Sequence, residues 1–339
     1  MTLLEERYRL ALRMLPASYR AEREEEMVEA FLEGARHAHG ERGTQPDWGE
    51  VVSIAALAIR IRVGGIGAAP RSRAVGDAVR LAALLGLGYQ AVIGWIGLAF
   101  SVQVLGPLPG QSPVLTPRGA APELVSAAES LVWIAAFATL ALGRVRAAKL
   151  LAGLGLLYVL AMFGVDAFTW PRALVDSAPH LLVTVVPVAA LLTAYHRDAP
   201  VRRSPPLSAL PLGLTVAYAA AVLAVTGLGG GTDAAAAWAA GWLDPQGVAT
   251  AALLVAGLVS LLRGTAPAGR LALAVVAVPL MAARSPHFLI DVAPAQPLTI
   301  TLTAQSAALL LLCLALIVSA VRALPRPHAA ALPGLPRTR

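Results

Sequence analysis

Residues 298–321 read LTITLTAQSAALLLLCLALIVSAV, 24 residues without one charged side chain. A hydrocarbon core about 30 Å thick is crossed by roughly 20 apolar residues in a helix. This stretch therefore reads as a membrane span, and Arg322 closes it. Working back from it, comparable apolar stretches recur near 80–105, 123–143, 148–169, 174–195, 207–228, 245–262 and 270–290. The sixth is short, and the seventh is interrupted by Pro279, Arg284 and Pro286. The predicted fold class is all-α: a polytopic α-helical membrane protein of about eight spans.

Loop charge supports that count. Residues 81–339 hold 15 Lys and Arg against 8 Asp and Glu. With eight spans and the N-terminus inside, one side collects Arg144, Arg146, Lys149, Arg197, Arg202, Arg203, Arg263 and Arg270. The tail adds Arg322, Arg326, Arg337 and Arg339 on the same side, where Asp198 is the one acid. The other side keeps Arg118, Arg172 and Arg284. Basic residues favour the cytoplasmic side, so both termini are expected there. Without the seventh span the tail arginines would lie outside. Trp170, Trp238, Trp242 and Phe288 fall near the predicted outer interface, as an aromatic belt does.

The chain is 57% hydrophobic, with a mean hydropathy of +0.69 and 14% charged residues against the roughly 25% of a soluble domain. Its basic character lies in the membrane-embedded part and orients helices, so it does not point to nucleic acid. Lys149 is the one lysine beside 26 arginines, which suggests a GC-rich bacterial genome and hence the bacterial cytoplasmic membrane. The charged opening of residues 1–50 has no cleavable leader pattern. Cys313 is the sole cysteine and cannot form an intrachain disulfide.

Residues 1–80 differ: 12 Arg balance 12 Asp and Glu. Leu4, Tyr8, Leu12 and Leu15 recur at helical spacing until Pro16. Ser18 is placed to cap a second helix whose first turns carry Glu22, Glu24, Glu25 and Glu26, with Met27, Phe31 and Ala35 on its apolar face. Gly40 and Gly43 mark its exit. A third helix opens at Asp47, with Glu50 as the far half of a capping box, and continues through Val51, Val52, Ala55 and Ile59 to Arg60 and Arg62. It is too short to span. It either completes a small core or lies on the membrane surface. The predicted organisation is a cytoplasmic three-helix domain over 1–65, a linker over 66–79, the bundle over 80–321 and a Pro- and Arg-rich tail over 322–339.

The run Leu15-Pro16-Ala17-Ser18-Tyr19-Arg20, followed by Glu24-Glu25-Glu26-Met27, resembles the short helical permease-prefix domains that precede membrane spans in many bacterial proteins. There a Leu-Pro-x-x-(Tyr/Trp)-Arg segment leads into Glu-Glu-(Met/Leu). The whole chain is similar to uncharacterised multi-spanning proteins that carry such a prefix. The resemblance covers about 25 residues of the 339 and brings no catalytic residue with it. ABC-type permeases with this prefix have a large extracytoplasmic domain, for which the outer loops here leave no room.

Several chemistries lack their residues. Lys149 sits in Gly143-Arg144-Val145-Arg146-Ala147-Ala148-Lys149, which is not a Walker A loop. His-Glu-x-x-His, Cys-x-x-Cys, Gly-x-Ser-x-Gly and Ser-x-x-Lys are absent. No cofactor is expected and no enzyme built on familiar motifs.

Ionisable groups inside spans cost roughly 2.5–3.5 kcal/mol at a helix centre, which makes them candidates for function. Asp166 ends span three. Asp176 and His180 share a helix face at the start of span four, and His287 and Asp291 repeat that spacing after span seven. If those spans touch, the four groups could hold a metal, relay a proton or bind a cation. Otherwise each pair is a local hydrogen bond at headgroup depth. Glu129, two turns into span two, is either bonded to Gln90, Gln305 or a serine as interhelical glue, or is a protonatable transport carboxylate. Pro187 and Pro279 are either packing kinks or hinges. The expected function is a non-enzymatic membrane module whose residues 1–65 bind a cytoplasmic protein partner. The alternative is a transporter or permease subunit that uses Glu129.

Overall fold

The computed structural model describes residues 3–38, 48–65, 68–105, 121–169, 173–196, 205–227, 241–285 and 296–324. Among them there is no strand. The helices are α1 (Leu3–Leu12), α2 (Ala17–Ala38), α3 (Trp48–Arg62), α4 (Pro70–Leu105), α5 (Ala121–Ala141), α6 (Val145–Thr169) and α7 (Ala173–Ala194). A 3₁₀ turn (Pro205–Ala209) leads into α8 (Leu210–Gly227), then come α9 (Pro245–Leu262), α10 (Pro267–Ala283) and α11 (Gln296–Ala323). Six of these are long and apolar enough to cross a membrane: α4, α5, α6, α8 with its 3₁₀ turn, α9 and α11. Two further apolar stretches, Ala178–Ala194 of α7 and Pro267–Ala283, are shorter. The chain is a multi-pass α-helical membrane protein.

The structure corrects three boundaries. The stretch 66–79, expected to be a linker, is helical from Pro70 onward, so α4 runs 36 residues without a break. Proline suits the first helical position, where its missing N–H would be unpaired anyway. Helix α2 begins at Ala17, one residue before the expected cap position Ser18, and the Pro16 carbonyl accepts from the Tyr19 and Arg20 amides. The seventh predicted span stops at Ala283, where Arg284 forms the C-cap. Asp47, Gly40 and Gly43 lie outside the described residues.

Helices α1, α2 and α3 share a core of Tyr8, Leu12, Leu15, Val28, Ile54, Ala58 and Ile61. Tyr8 stacks on Phe31 with ring centroids 3.9 Å apart. Burying each such side chain stabilises by about 1.5–3 kcal/mol. In α3, Ile54, Ala58 and Ile61 are buried in this core, while Trp48, Val52 and Ile59 stay exposed on another face.

Within the bundle, lipid is as apolar as leucine, so close contact rather than water exclusion must hold helices together. Helix α4 packs against α5, α7, α8 and α10. Where α4 crosses α7, a Cβ on Gly86 would lie 2.4 Å from Pro187 Cβ. Where it crosses α5, a Cβ on Gly94 would lie 2.7 Å from the Ser130 carbonyl. One core joins α4 to α7 around Leu87, Trp133, Phe137 and Leu191. A second joins α9, α10 and α11 around Leu253, Leu280, Leu309 and Leu316. Helix α10 also packs on α4 and α7 and so ties the two together.

Helices α6 and α7, and α10 and α11, run antiparallel, as contacts at their ends show. Lys149 Nζ, early in α6, donates to the Leu192 carbonyl in the last turn of α7 at 3.1 Å. Arg270, early in α10, reaches the Ser319 carbonyl late in α11 at 3.4 Å. The end of the bundle that carries α1–α3 is called proximal below, and the opposite end distal.

Candidate functional site

At the distal ends of α9 and α10 a ring of polar groups closes on itself. Asp244 precedes Pro245 and caps α9, its Oδ1 accepting from the Gly247 amide at 2.9 Å. Arg284 is the C-cap of α10 and only 5% exposed. Its Nη1 donates to Asp244 Oδ2 at 2.7 Å and its Nη2 to Oδ1 at 2.8 Å, a bidentate pair. Nη2 also donates to the Gly241 carbonyl. Nε donates to Gln305 Oε1 on α11 at 2.7 Å, and Gln305 Nε2 returns to the Gly241 carbonyl at 2.9 Å. Ser306 Oγ then donates to the Arg284 carbonyl at 2.9 Å.

A Cβ on Gly247 would lie 2.5 Å from both Asp244 Oδ1 and the Gly241 carbonyl, and 2.8 Å from Arg284 Nη2. The ring therefore occupies the space a larger residue would fill. Four of the five guanidinium N–H donors of Arg284 are engaged, so the arrangement positions helices.

A second polar contact crosses the bundle midway. Pro187 has no N–H, so the Val183 carbonyl one turn earlier loses its helical partner. Gln90 Nε2, on α4, supplies a donor to that carbonyl at 3.4 Å and to Thr184 Oγ1 at 2.7 Å. Pro187 also sits in the notch left by Gly86. This proline packs, and the carbonyl it frees is filled.

Beside the distal ring lies a cavity of about 560 Å³ walled by α4, α7, α8, α9, α10 and the 3₁₀ turn before α8. Among the described residues its lining is aliphatic apart from Phe137 of α5, Tyr89 and Tyr218, and the two tyrosine hydroxyls are the polar side-chain groups on it. Both tyrosines lie within electrostatic reach of Asp244, and Tyr89 of Arg284 as well. Pro187 and Pro279 are part of the wall.

Of the residues nominated from sequence, the structure describes the side chains of Glu129, Asp166 and His180. Glu129 Oε1 accepts from Trp133 Nε1, one turn on in the same helix, at 3.4 Å. Neither Gln90 nor Gln305 is its partner, since each is engaged elsewhere. Asp166 and His180 are exposed near the distal ends of α6 and α7. The Asp176 side chain, His287 and Asp291 lie outside what the structure describes, so the four-residue convergence is not in view. Among the described residues no group of three His, Cys, Asp or Glu side chains could hold a metal ion.

From the sequence Arg284 stood out as an interruption of a span and as one of the few outer-side arginines, and Asp244 did not stand out. The available signal was a lone arginine beside an apolar helix of marginal length, which demands a partner. The Asp-Pro dipeptide that opens the preceding helix offered one.

No protein-family model, curated protein or solved structure matches this chain.

Proposed function

We propose that this protein is a non-enzymatic membrane module of eight crossing helices with both termini in the cytoplasm of a bacterium. In it α1–α3 form a cytoplasmic unit that binds a protein partner and passes that state to the bundle. The observation that carries this reading is the elbow between α3 and α4. A Cβ on Gly76, in the second turn of α4, would lie within 2.0 Å of the Val63 carbonyl that follows α3. The chain turns there through Gly64 at φ 86°, and Arg73 Nε holds the Ala68 carbonyl at 3.0 Å. Arg80, about a tenth exposed, pairs with Asp77 at 3.0 Å just beyond. A displaced α3 must therefore move α4, the helix on which α5, α7, α8 and α10 pack.

Eight crossings are supported by α10 itself. Though only 17 residues long, it meets α11 both near its start, through Arg270 and Ser319, and at its end, through Arg284 and Gln305. The basic loops on the proximal side support the orientation. The resemblance of residues 15–27 to permease-prefix domains supports a cytoplasmic α1–α3.

A transport role is the second reading. It is favoured by Glu129, a half-buried carboxylate within α5 held by one long hydrogen bond.

The test is affinity purification from native membranes of the full chain and of a form lacking residues 1–65, at matched membrane levels. A partner lost with residues 1–65 supports the module. If both forms recover the same proteins, and Glu129→Gln abolishes a solute flux in proteoliposomes, transport replaces it.

A further inference from the structure

We infer that the cavity between α4, α7, α8, α9 and α10 is a binding site for a single-chain lipid whose polar end is uncharged and hydrogen-bonding, such as a long-chain alcohol. The proposal goes beyond partner binding and stands whichever way that test falls.

Shape is the first argument. The lining runs along α4 from Ala82 to Ile96 and along α9 from Pro245 to Ala256. At 1.5 Å per residue these are about 21 Å and about 16 Å of helix. One leaflet of a hydrocarbon core about 30 Å thick is about 15 Å. The cavity is thus elongated along the helices and matches the length of a chain occupying one leaflet.

Chemistry is the second. Water has almost nothing to bond to on this wall, and a dry void forfeits packing contacts along its whole length. Hydrocarbon satisfies the lining. The wall is not sealed: its residues Leu210, Leu214 and Val248, on α8 and α9, are respectively 49%, 51% and 37% exposed.

The polar end is the third. Tyr89 and Tyr218 line the cavity, and both lie within electrostatic reach of Asp244. About 21 Å of helix separates Arg284 from Arg270 near the other end of α10, less than the roughly 30 Å of a hydrocarbon core. A charged headgroup there would be costly. The Arg284 charge is already matched by Asp244. What remains is hydroxyl chemistry, which suits an alcohol.

The experiment uses the full-length protein in phosphatidylcholine nanodiscs and a diazirine-bearing long-chain alcohol as photoprobe. Labelling is expected to saturate and to map to peptides of α4, α8 and α9. Ala217→Trp and Ala252→Trp fill the cavity from opposite walls and should each weaken labelling about tenfold or more. Leu311→Trp, on an exposed face of α11 outside the cavity, should not. Tyr89→Phe with Tyr218→Phe should weaken the alcohol but not the matching alkane probe. The proposal is overturned if labelling rises without saturation, if both tryptophan variants label like the Leu311 control, or if the tyrosine pair leaves the alcohol unaffected. Comparing thermal unfolding across the variants separates a filled cavity from a misfolded bundle.

Discussion

The Arg284 guanidinium grips both oxygens of Asp244 across 40 residues of chain, joining the start of α9 to the end of α10. Gln305 extends the grip to α11. Arg284 is buried but the Asp244 side chain is 37% exposed, so removing the arginine leaves a partly exposed carboxylate and Gln305 without their donor, at a cost of about 1–3 kcal/mol. Arg284→Leu is therefore expected to lower the stability of the purified protein by about that amount, measured by denaturant titration in mixed micelles. Arg284→Leu combined with Asp244→Ser removes both charges and keeps an oxygen for the α9 cap. It should recover much of the loss. If the double variant is no more stable than the single one, the pair is not what holds the three helices.

Gly247 supplies a sharper probe of the same ring. A methyl group there meets Asp244 Oδ1, the Gly241 carbonyl and Arg284 Nη2 at once. Gly247→Ala should destabilise although alanine is the better helix former, by roughly 1–3 kcal/mol as overpacking does. Gly153, on α6, has nothing within 4 Å of its would-be Cβ, so Gly153→Ala should be neutral or stabilising by up to about 1 kcal/mol. Thermal melts of the two variants side by side decide it: equal and small effects would mean the ring has room to relax.

The sequence-based reading and the structure part company along physical lines. Long uncharged runs such as 298–321 place a helix with little ambiguity, because length and apolarity alone decide the matter. Helix α11 accordingly covers residues 296–323. The start of α4 was hidden because Arg71, Arg73, Asp77 and Arg80 interrupt apolarity without interrupting helicity. Polar pairing was hidden for a different reason. Gln90 answers a carbonyl freed by Pro187, and Asp244 answers Arg284, each through contacts between helices far apart in sequence. Periodicity within one helix carries no information about such partners. Glu129, which the sequence leaves open as interhelical glue or as a transport carboxylate, bonds Trp133 at i+4.

The α1–α2 packing has a predictable response to acid. Arg9 donates to Glu25 at 2.8 and 2.9 Å and also bonds Glu5, and the Arg9 hydrogen bonds hold the Glu25 carboxyl below its ordinary value of 4.5. A depressed carboxylate contributes stability that is present above the unfolded pKa and lost as pH falls through the folded one. The Arg9 guanidinium is raised by the same hydrogen bonds and keeps its charge throughout. Hydrogen-exchange protection of the Val28 and Phe31 amides should therefore hold at neutral pH and decline only once the solution is more acid than about 4.5. Glu25→Gln should flatten that part of the profile. A decline of equal size in the Gln variant would assign the acid response to other carboxylates.

Gln90 and Pro187 should be energetically coupled, since one supplies the donor that the other removes. In the wild type Gln90→Leu leaves the Val183 carbonyl without its side-chain donor and Thr184 Oγ1 without Gln90, a loss of about 1–3 kcal/mol for buried polar groups. Pro187→Ala restores a backbone N–H four residues after Val183, so the helix can satisfy that carbonyl itself. In this background Gln90→Leu should cost less, by about the worth of one net hydrogen bond, roughly 0.5–1.5 kcal/mol. Pro187→Ala alone is expected to destabilise, because the ring fills the notch at Gly86. The double-mutant cycle removes that packing loss, which both arms share, and leaves the coupling. A coupling of zero would show that Gln90 serves Thr184 alone. A coupling of the expected sign would make this α4–α7 crossing a case in which a proline inside a membrane helix is tolerated because a side chain from the next helix takes over its missing donor.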